Sequence, residues 1–210
     1  MKRINLLVIS LLGIAASGQT IRLNEQSDWW SMNNEKELIL IKVELQQKTF
    51  DTNNLKILDL PLDTLSFDQA AEKLGQAIIV NRGDASYSRS QVCYVSSTGP
   101  QKIHLIFEGG EGESSTFYLF RGGADWKGSN LCAKSNLVSA DLTTGTGLRL
   151  GLSRTQVESI LGKPDSASGN RIAYCRELPK ESAISIQIEA RFDKQGMNYL
   201  LVSTTSHSKE

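Results

Sequence analysis

A short pattern occurs twice in this chain, and nothing else in it restricts the fold as tightly. The copies are Leu65-Ser-Phe-Asp-Gln-Ala-Ala-Glu-Lys-Leu-Gly75 and Leu152-Ser-Arg-Thr-Gln-Val-Glu-Ser-Ile-Leu-Gly162. Leu, Ser, Gln, Leu and Gly recur in register, and each has a task in a short helix. Ser66 and Ser153 are N-caps, and Gln69 and Gln156 complete a capping box. Leu65 and Leu152 precede the caps and can staple onto Ala70 and Val157. Gly75 and Gly162 end the helices in a left-handed conformation, and Pro164 bars continuation of the second. Phe67, Ala70, Ala71 and Leu74 fall on one helical face; Val157, Ile160 and Leu161 form the corresponding stripe. Two copies of one local grammar predict a tandem repeat of one small unit.

Strand signals follow each helix. After the first come Ser90–Ser96, Lys102–Glu108 and Ser115–Arg121, separated by Thr98-Gly-Pro100 and by Gly109, Gly110 and Gly112. After the second come Arg171–Glu177, Ala183–Phe192 and Met197–Thr204. Ile184, Ile186, Ile188, Ala190 and Phe192 alternate with Ser185, Gln187, Glu189 and Arg191, giving one dry and one wet face. Asp193-Lys-Gln-Gly196 is a hairpin turn. A helix this short is marginal alone and must pack its stripe on a sheet. The expected fold is therefore α+β: two tandem helix-plus-antiparallel-sheet units of two layers each. Unit one spans 59–140. Residues 141–210 hold a linker, Asp141–Gly147, and unit two. Residues 19–58 form a lead-in with a strand at Glu37–Leu45 and a shorter one at Leu55–Leu60.

The first residues resemble a secretory signal. Lys2 and Arg3 precede an apolar run from Leu6 to Ile14, and Ala16-Ser-Gly18 offers a cleavage site before Gln19. The run is shorter than the roughly 20 residues a membrane-spanning helix needs. Removal of 1–18 leaves about 190 residues, enough for one core or two small ones. Lys plus Arg equals Asp plus Glu at 23 each. Losing Lys2 and Arg3 tips the mature chain slightly acidic, which gives no reason to expect nucleic acid or an anionic membrane as partner. Cys93, Cys132 and Cys175 all lie in the exported part. An oxidising compartment favours one disulfide. Cys93 and Cys132 share a repeat and its exit segment, so that pair is expected. Cys175 is left as a small buried hydrophobe or an intermolecular contact.

The second copy, read from Gly151 through Lys163-Pro164, resembles the helix signature of the SmpA/OmlA superfamily. The shared features are a glycine, a small capping residue, an apolar Val and a terminal Leu-Gly-x-Pro. BamE, an outer-membrane assembly lipoprotein, belongs to that superfamily, and the β-lactamase inhibitor protein has a related tandem architecture. The resemblance covers about residues 147–165; in the earlier copy Ala77 stands where the proline would be. It implies a BamE-like or β-lactamase-inhibitor-protein-like fold and a binding architecture. It brings no catalytic residue, and this chain has no lipid-bearing cysteine at its cleavage site.

Candidate chemistry is sparse. The histidines are His104 and His207, and His207 lies in a polar tail. With a turn centred near Gly99, His104 sits across from Tyr94 and on the opposite sheet face from Cys93, which separates a Cys–His pair. No cluster of His, Cys or carboxylates has ligand spacing, so neither a metal nor a cofactor is expected. Arg82-Gly-Asp84 is turn chemistry before it is an adhesion motif. The first sheet is apolar on both faces, with Ile103, Leu105 and Phe107 against His104 and Ile106, and Phe117 and Leu119 against Tyr118 and Phe120. Such a sheet needs two covers. The second is either the lead-in with Trp29 and Trp30 or a partner docked on an aromatic face of Tyr94, Tyr118, Phe120 and Trp126. Exported monomers rarely leave such a patch bare.

The chain is thus expected to be an exported, periplasmic or extracellular, non-enzymatic protein-binding or scaffold module. Its expected partner is another envelope or secreted protein, with no stable membrane insertion. One alternative is an envelope assembly factor resembling BamE. The other is an enzyme whose site forms where two or more of Glu108, Glu111, Glu113, Arg121 and Asp125 converge.

Overall fold

A computed structural model of the chain describes residues 20–22, 51–83, 88–110, 115–122, 130–178 and 181–206. The expectations placed on 1–18, Trp29, Trp30, Glu37–Leu45, Glu111, Glu113, Asp125, Trp126 and His207 fall outside these residues.

Both repeat helices form as the local chemistry dictates. The first, α1, is Phe67–Leu74, and the second, α2, is Arg154–Leu161. Ser66 Oγ accepts the Gln69 N–H at 3.2 Å, and Gln69 Oε1 accepts the Ser66 N–H at 2.9 Å. The same reciprocal pair joins Ser153 and Gln156, at 3.3 and 2.8 Å. Each box satisfies two of the donors that a helix N-terminus leaves open. Gly75 and Gly162 follow at φ 100° and 82°, where a side chain would be strained. The inward stripe of α1 is Phe67, Ala70 and Leu74, all buried. In α2 only Val157 is fully buried, and Leu161 packs partly against the core. Ile160, expected in that stripe, is 39% exposed. Eight residues make little more than two turns, so the sheet contacts a narrower strip than the sequence pattern offers.

The strands, in chain order, begin with β1 (Thr20–Arg22), β2 (Lys56–Ile57) and β3 (Leu60–Pro61). Next come β4 (Ile79–Gly83), β5 (Ser88–Ser96), β6 (Ile103–Gly109), β7 (Thr116–Arg121) and β8 (Ala133–Ser135). The last four are β9 (Ser166–Ser168), β10 (Arg171–Leu178), β11 (Glu181–Asp193) and β12 (Gly196–Ser206). Apart from the small β2–β3 hairpin, all belong to one ten-stranded sheet. Its order is β1-β4-β5-β6-β7-β12-β11-β10-β9, with β8 beside β5. Pairing is antiparallel except at β1–β4 and β5–β8. The Arg82-Gly83 pair ends β4, in register with Arg89 and Ser88.

The centre of this sheet is the β7–β12 seam, where Phe120 faces Tyr199 and Phe117 faces Val202. The expected α+β class, two self-contained helix-plus-sheet units of BamE or β-lactamase-inhibitor-protein type, is therefore corrected. The chain is a β-rich fold, mostly antiparallel sheet, with two eight-residue α-helices among the described residues. The physical reason lies at the seam. Separate units would each leave a last strand with unpaired N–H and C=O groups. Joining β7 to β12 satisfies both rows and merges the layers beneath them.

One core follows from one sheet. Phe107, Phe117 and Leu119 from the first half (β4–β7) share a single buried cluster with Tyr174, Ile188 and Val202 from the second half (β10–β12). α1 and α2 cover this face together with Leu55, Ile57, Leu62, Leu148 and Leu150. The segment between the repeats is bound at both ends. The Gly145 N–H donates to the Lys56 carbonyl at 3.0 Å, and the Gly151 N–H donates to the Met197 carbonyl at 2.8 Å.

Candidate functional site

With both described helices on one face, the other face of the sheet is where side chains of both halves meet with no helix of the described residues over them. The register sets three rows across it. The first is His104, Phe120, Tyr199, Arg191 and Arg171, one residue from each of β6, β7, β12, β11 and β10. The second is Cys93, Ile106, Tyr118, Leu201, Glu189 and Ala173. The third is Gln91, Glu108, Thr116, Ser203, Gln187 and Cys175. Because strand neighbours alternate faces, each row lies on the same side.

The first-half part of this face is closed. His104 is 1% exposed, Phe120 2% and Tyr118 8%. Tyr118 and Phe120 form an apolar cluster with Val80, Cys93, Ile106 and Tyr199, against which Ile78, Leu131, Cys132 and Leu201 pack. The His104 ring stacks on Phe120 with centroids 5.1 Å apart and planes 16° from parallel. Gly122 backs the ring so closely that a Cβ there would run into it. Burial pushes the His104 imidazole down to about 4, and Lys102 pushes the same way.

The second-half part is polar and partly open. Arg171, Ala173, Cys175, Gln187, Arg191, Leu201 and Ser203 are all half-buried. Glu189, which is buried, anchors both arginines through one oxygen. Arg171 donates to Glu189 Oε1 from Nε at 3.1 Å and from Nη2 at 2.9 Å, and Arg191 donates from Nε at 2.7 Å. The Arg191 guanidinium also lies 4.4 Å above the Tyr199 ring, a cation–π contact. Burial drives the Tyr199 hydroxyl above its ordinary range, and Arg191 opposes the shift.

The polar row also carries hydrogen bonds. Glu108 accepts from Arg89 Nη1 at 2.8 Å and from the Gln91 amide. Thr116 Oγ1 donates to Ser203 Oγ at 3.0 Å, across the seam.

The residues singled out from sequence separate in space. Cys93 and Cys132 lie at disulfide distance, with Cα atoms 4.5 Å apart. Cys175 is half-buried, and its backbone N–H donates to Asp165 Oδ2 at 2.9 Å. Tyr94 does not belong to the aromatic face. It is 0% exposed, on the opposite side, within the helix-covered core, where burial raises its hydroxyl to about 12. Tyr118 and Phe120 do share a face, but it is a buried one.

His104 pairs with Val95 rather than Tyr94, one residue away from the expected register. That slip places it on the same face as Cys93, not the opposite one. The sulfur is nevertheless engaged with Cys132, so the two do not form a nucleophile–base pair. Glu108 and Arg121 sit at opposite ends of the paired strands, Glu108 across from Thr116 and Arg121 across from Ile103. Arg121 instead reaches Gln195 Oε1 at 3.2 Å and Asp193 at 3.6 Å.

Sequence reasoning missed the Arg171–Glu189–Arg191–Tyr199 group. Glu189 and Arg191 were legible as members of one wet face, but Arg171 and Tyr199 join them only through the register of three strands. Among the described residues, no group of three or more His, Cys, Asp or Glu is placed to hold a metal ion. None of the described helices is long and apolar enough to cross a membrane. No family model, curated protein or solved structure matches this chain.

Proposed function

We propose that this chain is an exported, non-enzymatic protein-binding module and that a partner protein docks on the second-half face of its sheet. One observation carries the reading: the same sheet face is sealed over β5–β7 and left partly open over β10–β12. The open part presents Arg171, Arg191 and Leu201 on an antiparallel sheet, with the buried Tyr199 ring beneath Arg191. Arginine is among the side chains that most often dominate protein interfaces. Here Glu189 and the Tyr199 ring already fix the guanidinium planes, which lowers the ordering cost of an encounter. The pairing of Cys93 with Cys132 and the signal-like residues 1–18 support export.

Photo-crosslinking tests the reading. A benzoylphenylalanine at position 201 is expected to trap a discrete protein adduct in the secreted or envelope fraction. The same probe at position 160, exposed on α2, should trap none. Absence of an adduct from position 201, or equal adducts from both positions, would overturn the proposal.

A further inference from the structure

We draw no further inference here: the strongest candidate, the partly exposed second-half sheet face around Arg171, Arg191 and Leu201, carries nothing beyond the proposed docking role, because Glu189 already holds both arginines and nothing in the structure shows what covers the face.

Discussion

Acid should weaken this protein through the buried His104 side chain. The His104 imidazole is held at about 4 in the folded chain, against an ordinary value of 6.5. The folded state therefore prefers the neutral ring. Above the ordinary value the ring is neutral in both states, and the full stability is present. As pH falls below it, the unfolded chain takes up a proton that the folded chain refuses, and stability drops until His104 itself protonates near 4. The whole window is worth about 3 kcal/mol, since each pKa unit is about 1.4 kcal/mol. Roughly 2 kcal/mol of that is lost by pH 5. Urea unfolding at a series of pH values reads the loss directly. His104→Leu removes the titrating group, and carboxylates elsewhere cancel in the comparison. The wild-type curve is expected to fall about 2 kcal/mol more than the variant between pH 7 and pH 5. The chain has two histidines, His104 and His207, so proton NMR can follow each ring separately. Parallel stability curves, or a His104 resonance titrating near 6.5, would refute the buried-ring reasoning.

Three further outcomes follow from particular contacts. Gly122→Ala places a methyl group against the His104 ring and should cost about 1–3 kcal/mol by thermal unfolding, and a loss below half of that would mean the ring yields easily. Ser66→Ala and Ser153→Ala should each cost about 1 kcal/mol; the two losses should be similar because the capping boxes are the same, and a cost at one helix alone would contradict that equivalence. Asp165→Asn removes the counter-charge of the buried Arg176 guanidinium, a cation whose burial already costs free energy, and should destabilise by about 3–5 kcal/mol. Replacing both with Leu and Met should recover much of that loss, and a double variant no better than the single one would show that the pair is not the cause.

Local structure was far more legible than assembly. The helix ends could be read because each capping box is a contact between residues three apart. The sequence marks six strands to within two residues at every end, from Ser88–Ser96 through Gly196–Ser206, because turn residues and alternation delimit them. The segment read as one strand at Leu55–Leu60 is instead the β2–β3 hairpin, turning at Leu58 and Asp59. β4 was missed: Asn81-Arg-Gly favours turns, and its place in the sheet comes from β5 and β1 on either side.

What no local signal encoded was the seam. Phe120 meets Tyr199 across most of a repeat of intervening chain, and nothing in either strand names its partner. The same blindness explains Tyr94 and His104. A shift of one residue in the β5–β6 register turns a side chain from one face to the other, so the sequence alone places Tyr94 on the aromatic face and His104 away from Cys93. The open arginine face was hidden for a related reason, since Arg171, Glu189 and Arg191 become neighbours only after β10, β11 and β12 are aligned.

Interstrand NMR contacts across β7 and β12 give the most direct check on one continuous sheet that shares a single core. Backbone NOEs should link Tyr118 to Leu201 and Phe120 to Tyr199, with amide protons along both strands exchanging as slowly as those of β6 and β11. NOEs confined to β5–β7 on one side and β10–β12 on the other, with fast exchange along β7 and β12, would show two separate sheets and contradict it.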